Sequence, residues 1–312
     1  MKRMIRQLTT LIVALLLATT AVAQQAHLFS LEESGADEIV AAYWDNSTAP
    51  HSNGVTETES INEKWELFNT SQTDLYIYKA DPAKATGQGV VIVPGGGYRK
   101  VCIKYDGFMV AKYLRSIGIT AVVVKYRLPN GHREVPLEDA QAGMRFLRTE
   151  GSKWGVDPAQ VGILGCSAAG HLAAQASTFT PDAEKPAFAI LIYPVISGTT
   201  RSSHHGTFGN LLGRQRTNAE QEYYSLENRV TTTTPPTLLL LTDDDLKVPP
   251  ISSIRYYKAL KAHGVPAAMH VFPSGGHGWA GHDEYRYAEP CKRAIKDWLK
   301  VRLESHNAKN RE

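Results

Sequence analysis

Val161-Gly-Ile-Leu-Gly-Cys-Ser-Ala-Ala-Gly-His-Leu-Ala-Ala174 joins an apolar, partly β-branched run to an Ala-rich segment of high helix propensity, with Ser167 at the junction. That order reads as strand, sharp turn, helix. A serine placed there stands at the amino end of a helix, where backbone N–H groups lack intrahelical acceptors and a carbonyl can approach. This is the context of a nucleophile elbow, and small residues on both sides allow so tight a turn. Ala169 holds the place of the second glycine in Gly-x-Ser-x-Gly, with Gly170 after it. Alone, the pentapeptide fits a plain turn between a buried strand and a buried helix equally well, so what separates the two readings lies elsewhere in the chain.

Around this stretch, buried-strand runs alternate with helical periodicities. Gly89-Val-Val-Ile-Val93 is an unbroken β-branched run, the pattern of a strand covered on both faces. Thr120 to Val124, Phe188 to Tyr193, Thr237 to Leu241 and Ala268 to Phe272 are further strands. Thr73 to Lys79 alternates polar and apolar residues, which predicts an edge or half-buried strand. Helices are expected near Phe108 to Ser116, over Leu137 to Thr149 (with Leu137, Ala140, Met144 and Leu147 at helical spacing), and over Ile251 to His263 and Glu289 to Leu303. Strands alternating with helices predict an α/β protein with a mostly parallel sheet flanked by helices. Residues 24–69 are polar and irregular and read as an N-terminal lead-in without chemistry; residues 70–304 form the main domain and 305–312 a tail. Between about 197 and 228 the alternation breaks off for longer than an ordinary connection, which predicts a small insertion over the carboxyl ends of the strands.

A serine hydroxyl is a poor nucleophile until a base takes its proton, and the base works best when an acid fixes its tautomer. On a sheet of this kind the acid and then the histidine follow later strands. After Leu238 to Leu241 stands Asp243-Asp-Asp245, where three adjacent carboxylates would repel one another unless at least one has a partner. After Ala268 to Phe272 stands Gly275-Gly-His277-Gly278, a histidine free to orient on a loop. The glycines of Pro94-Gly95-Gly96-Gly97-Tyr98, past a central strand, suit a backbone that must approach a ligand closely. An oxyanion would then rest on the N–H of Ala168 and on that of Gly96 or Gly97. Tyr98 and Trp279 neighbour these loops and are candidate substrate contacts. His171, one turn into the elbow helix, reads as packed. His204 and His205 lack partners at ligand spacing, so no metal is expected; a serine activated through a base and an acid needs no cofactor.

Composition bounds the partners. The chain has 312 residues and is 43% hydrophobic, enough for one sizeable core. Residues 1–23 combine a basic start, an apolar run from Leu11 to Ala18 and Ala21-Val22-Ala23 as a small-residue cleavage site, the pattern of a secretory signal peptide. Its removal leaves 31 basic residues against 31 acidic ones, so the basic balance of the full chain supports neither a nucleic-acid nor an anionic-membrane partner. No other stretch is long and apolar enough to span a bilayer. An export route to the periplasm or beyond is expected. The three cysteines make an odd count; Cys166 reads as a small buried hydrophobe, and a Cys102 to Cys291 bridge stays open.

Taken together, Pro94-Gly-Gly-Gly-Tyr98, Lys125-Tyr-Arg-Leu-Pro129, Leu137-Glu-Asp-Ala140, Gly165-Cys-Ser-Ala-Ala-Gly-His-Leu-Ala173, Tyr224-Ser-Leu-Glu227, the Asp-rich turn before Val248-Pro249 and Gly276-His-Gly278 resemble the α/β-hydrolase acetyl esterases and acetyl xylan esterases, serine carbohydrate esterases distantly similar to the prolyl-oligopeptidase catalytic domain. The likeness covers roughly residues 70 to 303. It implies an α/β-hydrolase fold and cofactor-free hydrolysis of short acyl esters, chiefly acetyl, on xylan-type polysaccharide or its oligosaccharides. In that family the acid precedes a valine by three positions, which selects Asp245; Ser167, Asp245 and His277 then follow in order, 78 and 32 residues apart. Feruloyl esterase, prolyl-oligopeptidase-like peptidase and exported glycan-binding protein are the alternatives.

Overall fold

The computed structural model describes residues 29–200, 203–309 and 311; the expected signal peptide lies outside them. In chain order the elements are α1 (Leu31–Ser34), β1 (Glu38–Asp45), β2 (Ser60–Ile61), β3 (Glu66–Phe68), β4 (Gln72–Tyr78), β5 (Gly89–Val93), β6 (Val101–Cys102), a π-helical stretch (Ile103–Met109) running into α2 (Val110–Ser116), β7 (Thr120–Lys125), α3 (Val135–Glu150), β8 (Val161–Cys166), α4 (Ala168–Thr178), β9 (Ala189–Ile192), α5 (His205–Leu212), α6 (Asn218–Tyr223), β10 (Thr237–Thr242), α7 (Ile251–Ala262), β11 (Ala267–Phe272) and α8 (Ala288–Lys309).

The β-branched and leucine-rich runs become interior strands of an eight-stranded sheet in the order β1-β4-β7-β5-β8-β9-β10-β11. β1 and β4 enter antiparallel, and every pairing from β7 to β11 is parallel. Strands β5, β7, β8, β9 and β10 are buried along their whole length, as unbroken apolar runs covered on both faces must be. Register then decides which loops meet. Val93 pairs with Gly165, Cys166 with Ile192, Leu240 with Ile192 and Thr242 with Phe272. The loops after β5, β8, β10 and β11 therefore leave the same carboxyl edge, where ligands bind in open parallel sheets.

Two of the quoted motifs serve the core. Arg127 and Asp139 are both fully buried, with Nη2 to Oδ1 at 2.8 Å, and the Trp44 indole N–H donates to the same oxygen at 2.6 Å. Lys125, also buried, meets Asp74 at 2.9 Å and Glu59 at 2.6 Å. Removing one partner of such a pair leaves a buried charge uncompensated, at a cost of about 3–5 kcal/mol.

Three expectations need correction. Over its described part, residues 29–69, the expected lead-in is not irregular: β1 adds to the main sheet, and β2 and β3 form a small second sheet with β6. The sequence hid this because the β1 register breaks between Val40 and Trp44, and Ala42, Trp65 and Asn69 take positive φ, which interrupts the alternation of a plain strand. Strand β4 is neither an edge nor half-buried; β1 and β7 flank it, and its polar residues lie buried among Lys125, Glu59 and each other. Helix α8 absorbs most of the expected tail and runs on to Lys309, with no Gly or Pro after Pro290 to end it and with His306 3.2 Å from Asp157.

Candidate active site

Ser167 sits between β8 and α4 at φ 55°, a conformation a non-glycine residue adopts at a cost of about 1–3 kcal/mol. The surroundings hold it there: its N–H donates to Ile192 O at 2.9 Å, and its C=O accepts from Gly170 at 2.9 Å and Val195 at 3.0 Å. Gly165 is required by close approach, since a Cβ there would fall on the Ala169 carbonyl. Ala169 itself packs at full burial, so the missing second glycine costs nothing locally.

The three loops meet. Ser167 Oγ lies 2.8 Å from His277 Nε2, and His277 Nδ1 lies 2.6 Å from Asp245 Oδ2. Asp245 is 1% exposed, and its Oδ1 accepts the N–H groups of Lys247 and Val248, each at 2.9 Å. Of the other two carboxylates, Asp244 accepts from Gly275 (3.1 Å) and Gly276 (2.8 Å), which holds its carboxyl below the usual range and ties down the histidine loop. Asp243 is exposed. A hydroxyl, an imidazole and a carboxylate in contact in that order can pass a proton from the oxygen to a ring whose tautomer the acid fixes.

Gly96 and Gly97 line the same cleft of about 550 Å³ as Ser167 and His277. Both have positive φ, and a Cβ on Gly96 would fall on the Lys100 carbonyl. Among the described residues the N–H groups of Gly96, Gly97 and Ala168 have no protein acceptor, which leaves three donors beside the serine. Asn210, on α5, donates to Gly97 O at 2.8 Å, so the segment between β9 and β10 braces the glycine loop.

Tyr98 and Trp279 are corrections to the expected substrate contacts: neither lines this cleft. Tyr98 is 1% exposed, its hydroxyl 3.3 Å from both His171 Nδ1 and Gln175 Oε1, and Trp279 is buried against Tyr193 and Tyr285. Both are apolar bodies beside turns, and the turns spend them on packing. His171 is fully buried, its Nε2 2.8 Å from Tyr224 O, and burial lowers its pKa to about 4. His204 caps α5 through Nδ1, lines the cleft, and has its pKa lowered chiefly by burial. Cys102, Cys166 and Cys291 are free, and burial pushes the Cys102 thiol up to about 12. Among the described residues no group of three or more His, Cys, Asp or Glu side chains is placed to hold a metal, and no helix is long and apolar enough to cross a membrane.

The sequence reading missed Asp106 and Tyr193. Asp106, on the π-helical stretch, is buried at the back of the cleft; Oδ2 accepts the Gly95 N–H at 3.0 Å and Oδ1 accepts the Tyr193 hydroxyl at 3.1 Å. The Tyr193 oxygen in turn accepts the Ala280 N–H at 3.1 Å, and its ring packs on the His277 imidazole at 4.6 Å. One carboxyl thus ties the glycine loop to the histidine loop. Burial raises its pKa to about 6 against the two hydrogen bonds that oppose the shift. The only available signal was a single acid in an apolar segment, and π-helical turns have no sequence signature of their own.

Comparison with known proteins agrees with this architecture. A family model described as the α/β-hydrolase fold matches residues 90–281. The chain is 36% identical over 223 residues (70% of its length) to an acetylxylan esterase of Xylanibacter ruminicola, and 32% identical over 213 residues to endo-1,4-β-xylanase B of Butyrivibrio fibrisolvens. It spans 46% and 33% of the length of these two relatives. Among solved structures, an acetyl ester-xyloside bifunctional hydrolase from Caldicellulosiruptor lactoaceticus superposes with a TM-score of 0.68 at 30% identity, covering 85% of this chain and 96% of that one. Both the sheet order and these matches have one reading: the chain belongs to the α/β-hydrolase family.

Proposed function

We propose that the protein is a serine esterase that removes short acyl groups, chiefly acetyl, from xylan-type polysaccharide or its oligosaccharides. The observation that carries this reading is the row Ser167–His277–Asp245, at 2.8 and 2.6 Å, beside a glycine-lined cleft. Ser167 attacks the ester carbonyl while His277 Nε2 takes its proton, and Asp245 stabilises the imidazolium through Nδ1. The oxyanion rests on the N–H of Ala168 and on the Gly96-Gly97 loop. His277 gives the proton to the departing sugar oxygen as the ester C–O bond breaks; it then takes a proton from water, whose oxygen attacks the acyl-enzyme, and returns that proton to Ser167 as the carboxylic acid leaves. The acyl preference and the glycan draw support from the esterase relatives, and an exported location from residues 1–23.

The test is acetate release from acetylated xylo-oligosaccharides, with fluorophosphonate labelling of Ser167 alongside. A folded protein that neither labels nor releases acetate refutes the reading, and release of ferulate in preference to acetate changes its acyl group.

Asp106→Asn probes the brace behind the site. An amide offers one acceptor oxygen where the carboxylate offers two, so either Gly95 or Tyr193 loses its hold, and kcat is expected to fall by about 10–100-fold with KM little changed. The variant also reports on stability. Because the folded pKa of about 6 exceeds the ordinary aspartate value of 3.8, the stability this carboxyl contributes is full below about pH 3.8 and is lost as pH rises through 6. Denaturant titrations at several pH values should show that step in the parent and not in Asp106→Asn.

A further inference from the structure

The cleft beside Ser167 carries a charge that ester hydrolysis alone does not use. Four of its lining residues are lysines, Lys64, Lys100, Lys104 and Lys247, set against Glu63, Glu66 and the buried Asp106. Asp106 is committed to Gly95 and Tyr193, and Glu66 is closed by Lys100 at 2.5 Å. Among the described residues that is the only ion pair these four lysines make. Among the described residues this leaves three lining lysines without an ion pair against one acid in the same state, Glu63.

One of the free ammonium groups is held in place. Lys104 Nζ lies 5.1 Å from the Trp65 ring centroid and 5.4 Å from that of Tyr105, and Tyr105 stacks on His282 at 3.6 Å. A cation fixed over aromatic rings loses little further freedom when it meets an anion. Lys247 stands in the turn whose N–H groups hold Asp245 and lines the cleft together with Cys102 and His204. A neutral acylated sugar gives these cations hydroxyl oxygens at most. A carboxylate gives charge-assisted hydrogen bonds and steering into the cleft.

We infer that the cleft takes an acylated saccharide that also bears uronic-acid carboxylates, with Lys247 and Lys104 meeting a carboxylate while the ester lies against Ser167. The inference rests on the esterase reading and narrows its substrate class. The carboxylate has two sources, a uronic-acid branch on a xylan chain or the sugars of an acetylated polyuronate.

The experiment measures KM and kcat of the full chain on three acetylated oligosaccharide sets of matched length: neutral xylo-oligosaccharides, the same carrying uronic-acid branches, and oligogalacturonides. Each is run at about 20 mM and about 500 mM NaCl, on either side of the screening range. Expected is a KM about tenfold lower for one acidic set than for the neutral set at low salt, shrinking to about twofold or less at high salt. Which acidic set gains identifies the source. In Lys247→Met, and further in Lys104→Met/Lys247→Met, the ratio of the two KM values should approach one. Equal KM for neutral and acidic sets, or a preference indifferent to salt and to both substitutions, overturns the inference. Hydrolysis of the neutral set and of 4-nitrophenyl acetate keeps the esterase reading standing in that case; no release from any substrate ends both.

Discussion

Ser167→Ala should lower kcat on acetylated xylo-oligosaccharides by about 10⁴–10⁶-fold while leaving the protein folded. The hydroxyl's hydrogen bond is to His277 Nε2, so its removal takes away the nucleophile and little else. Stability should change by no more than about 1 kcal/mol. The residual rate would come from binding and from the oxyanion donors at Ala168, Gly96 and Gly97, which the substitution does not touch. Steady-state acetate release, with a denaturation curve on the same preparation, makes the measurement. A variant that keeps a tenth of the parental kcat would remove Ser167 from the mechanism.

Asp245→Asn should be nearly as severe, at about 10⁴-fold in kcat, and the geometry says why. Oδ1 accepts the N–H groups of Lys247 and Val248, so in the variant the amide oxygen stays on that side and the NH₂ faces His277. Nδ1 must then accept, the proton moves to Nε2, and the ring can no longer receive a proton from Ser167. Asp244→Asn supplies the contrast. It weakens a tether on Gly275 and Gly276 and should cost about tenfold or less. If the two variants exchange rank, the acid has been misassigned among three adjacent candidates.

Much of the sheet was legible because unbroken apolar runs leave few alternatives. Val90 to Val93, Val122 to Val124 and Leu238 to Leu241 cannot be satisfied except by cover on both faces, and none of them lies at an edge of the sheet. Thr73 to Tyr78 misled for the opposite reason. Its alternation signals one polar face, but the Gln72 amide donates to Asp74 and Asp74 meets Lys125, so most of that polar surface is buried with a partner. Residues 24–69 were read as bare of chemistry, yet Glu63, Lys64 and Glu66 line the cleft. Positive φ at Trp65 and the pairing of β3 with β6 bring them there, and neither leaves a periodic trace.

The local order strand, glycine-rich turn, helix is written in residues 161–174, and so are the chain order of serine, acid and histidine and the glycine loop after Val93 in the longer sequence around them. These are properties of neighbours and order along the chain, and propensity and sterics settle them. Which aromatic residues face the cleft and which pack away from it, and how Asp106 joins two loops from opposite sides of the site, were decided by the folded sheet. The physical reason is that each depends on register between β5, β8, β9, β10 and β11, a relation among segments up to 183 residues apart in the numbering from Gly89 to Phe272. No local pattern encodes a distance across such a sheet.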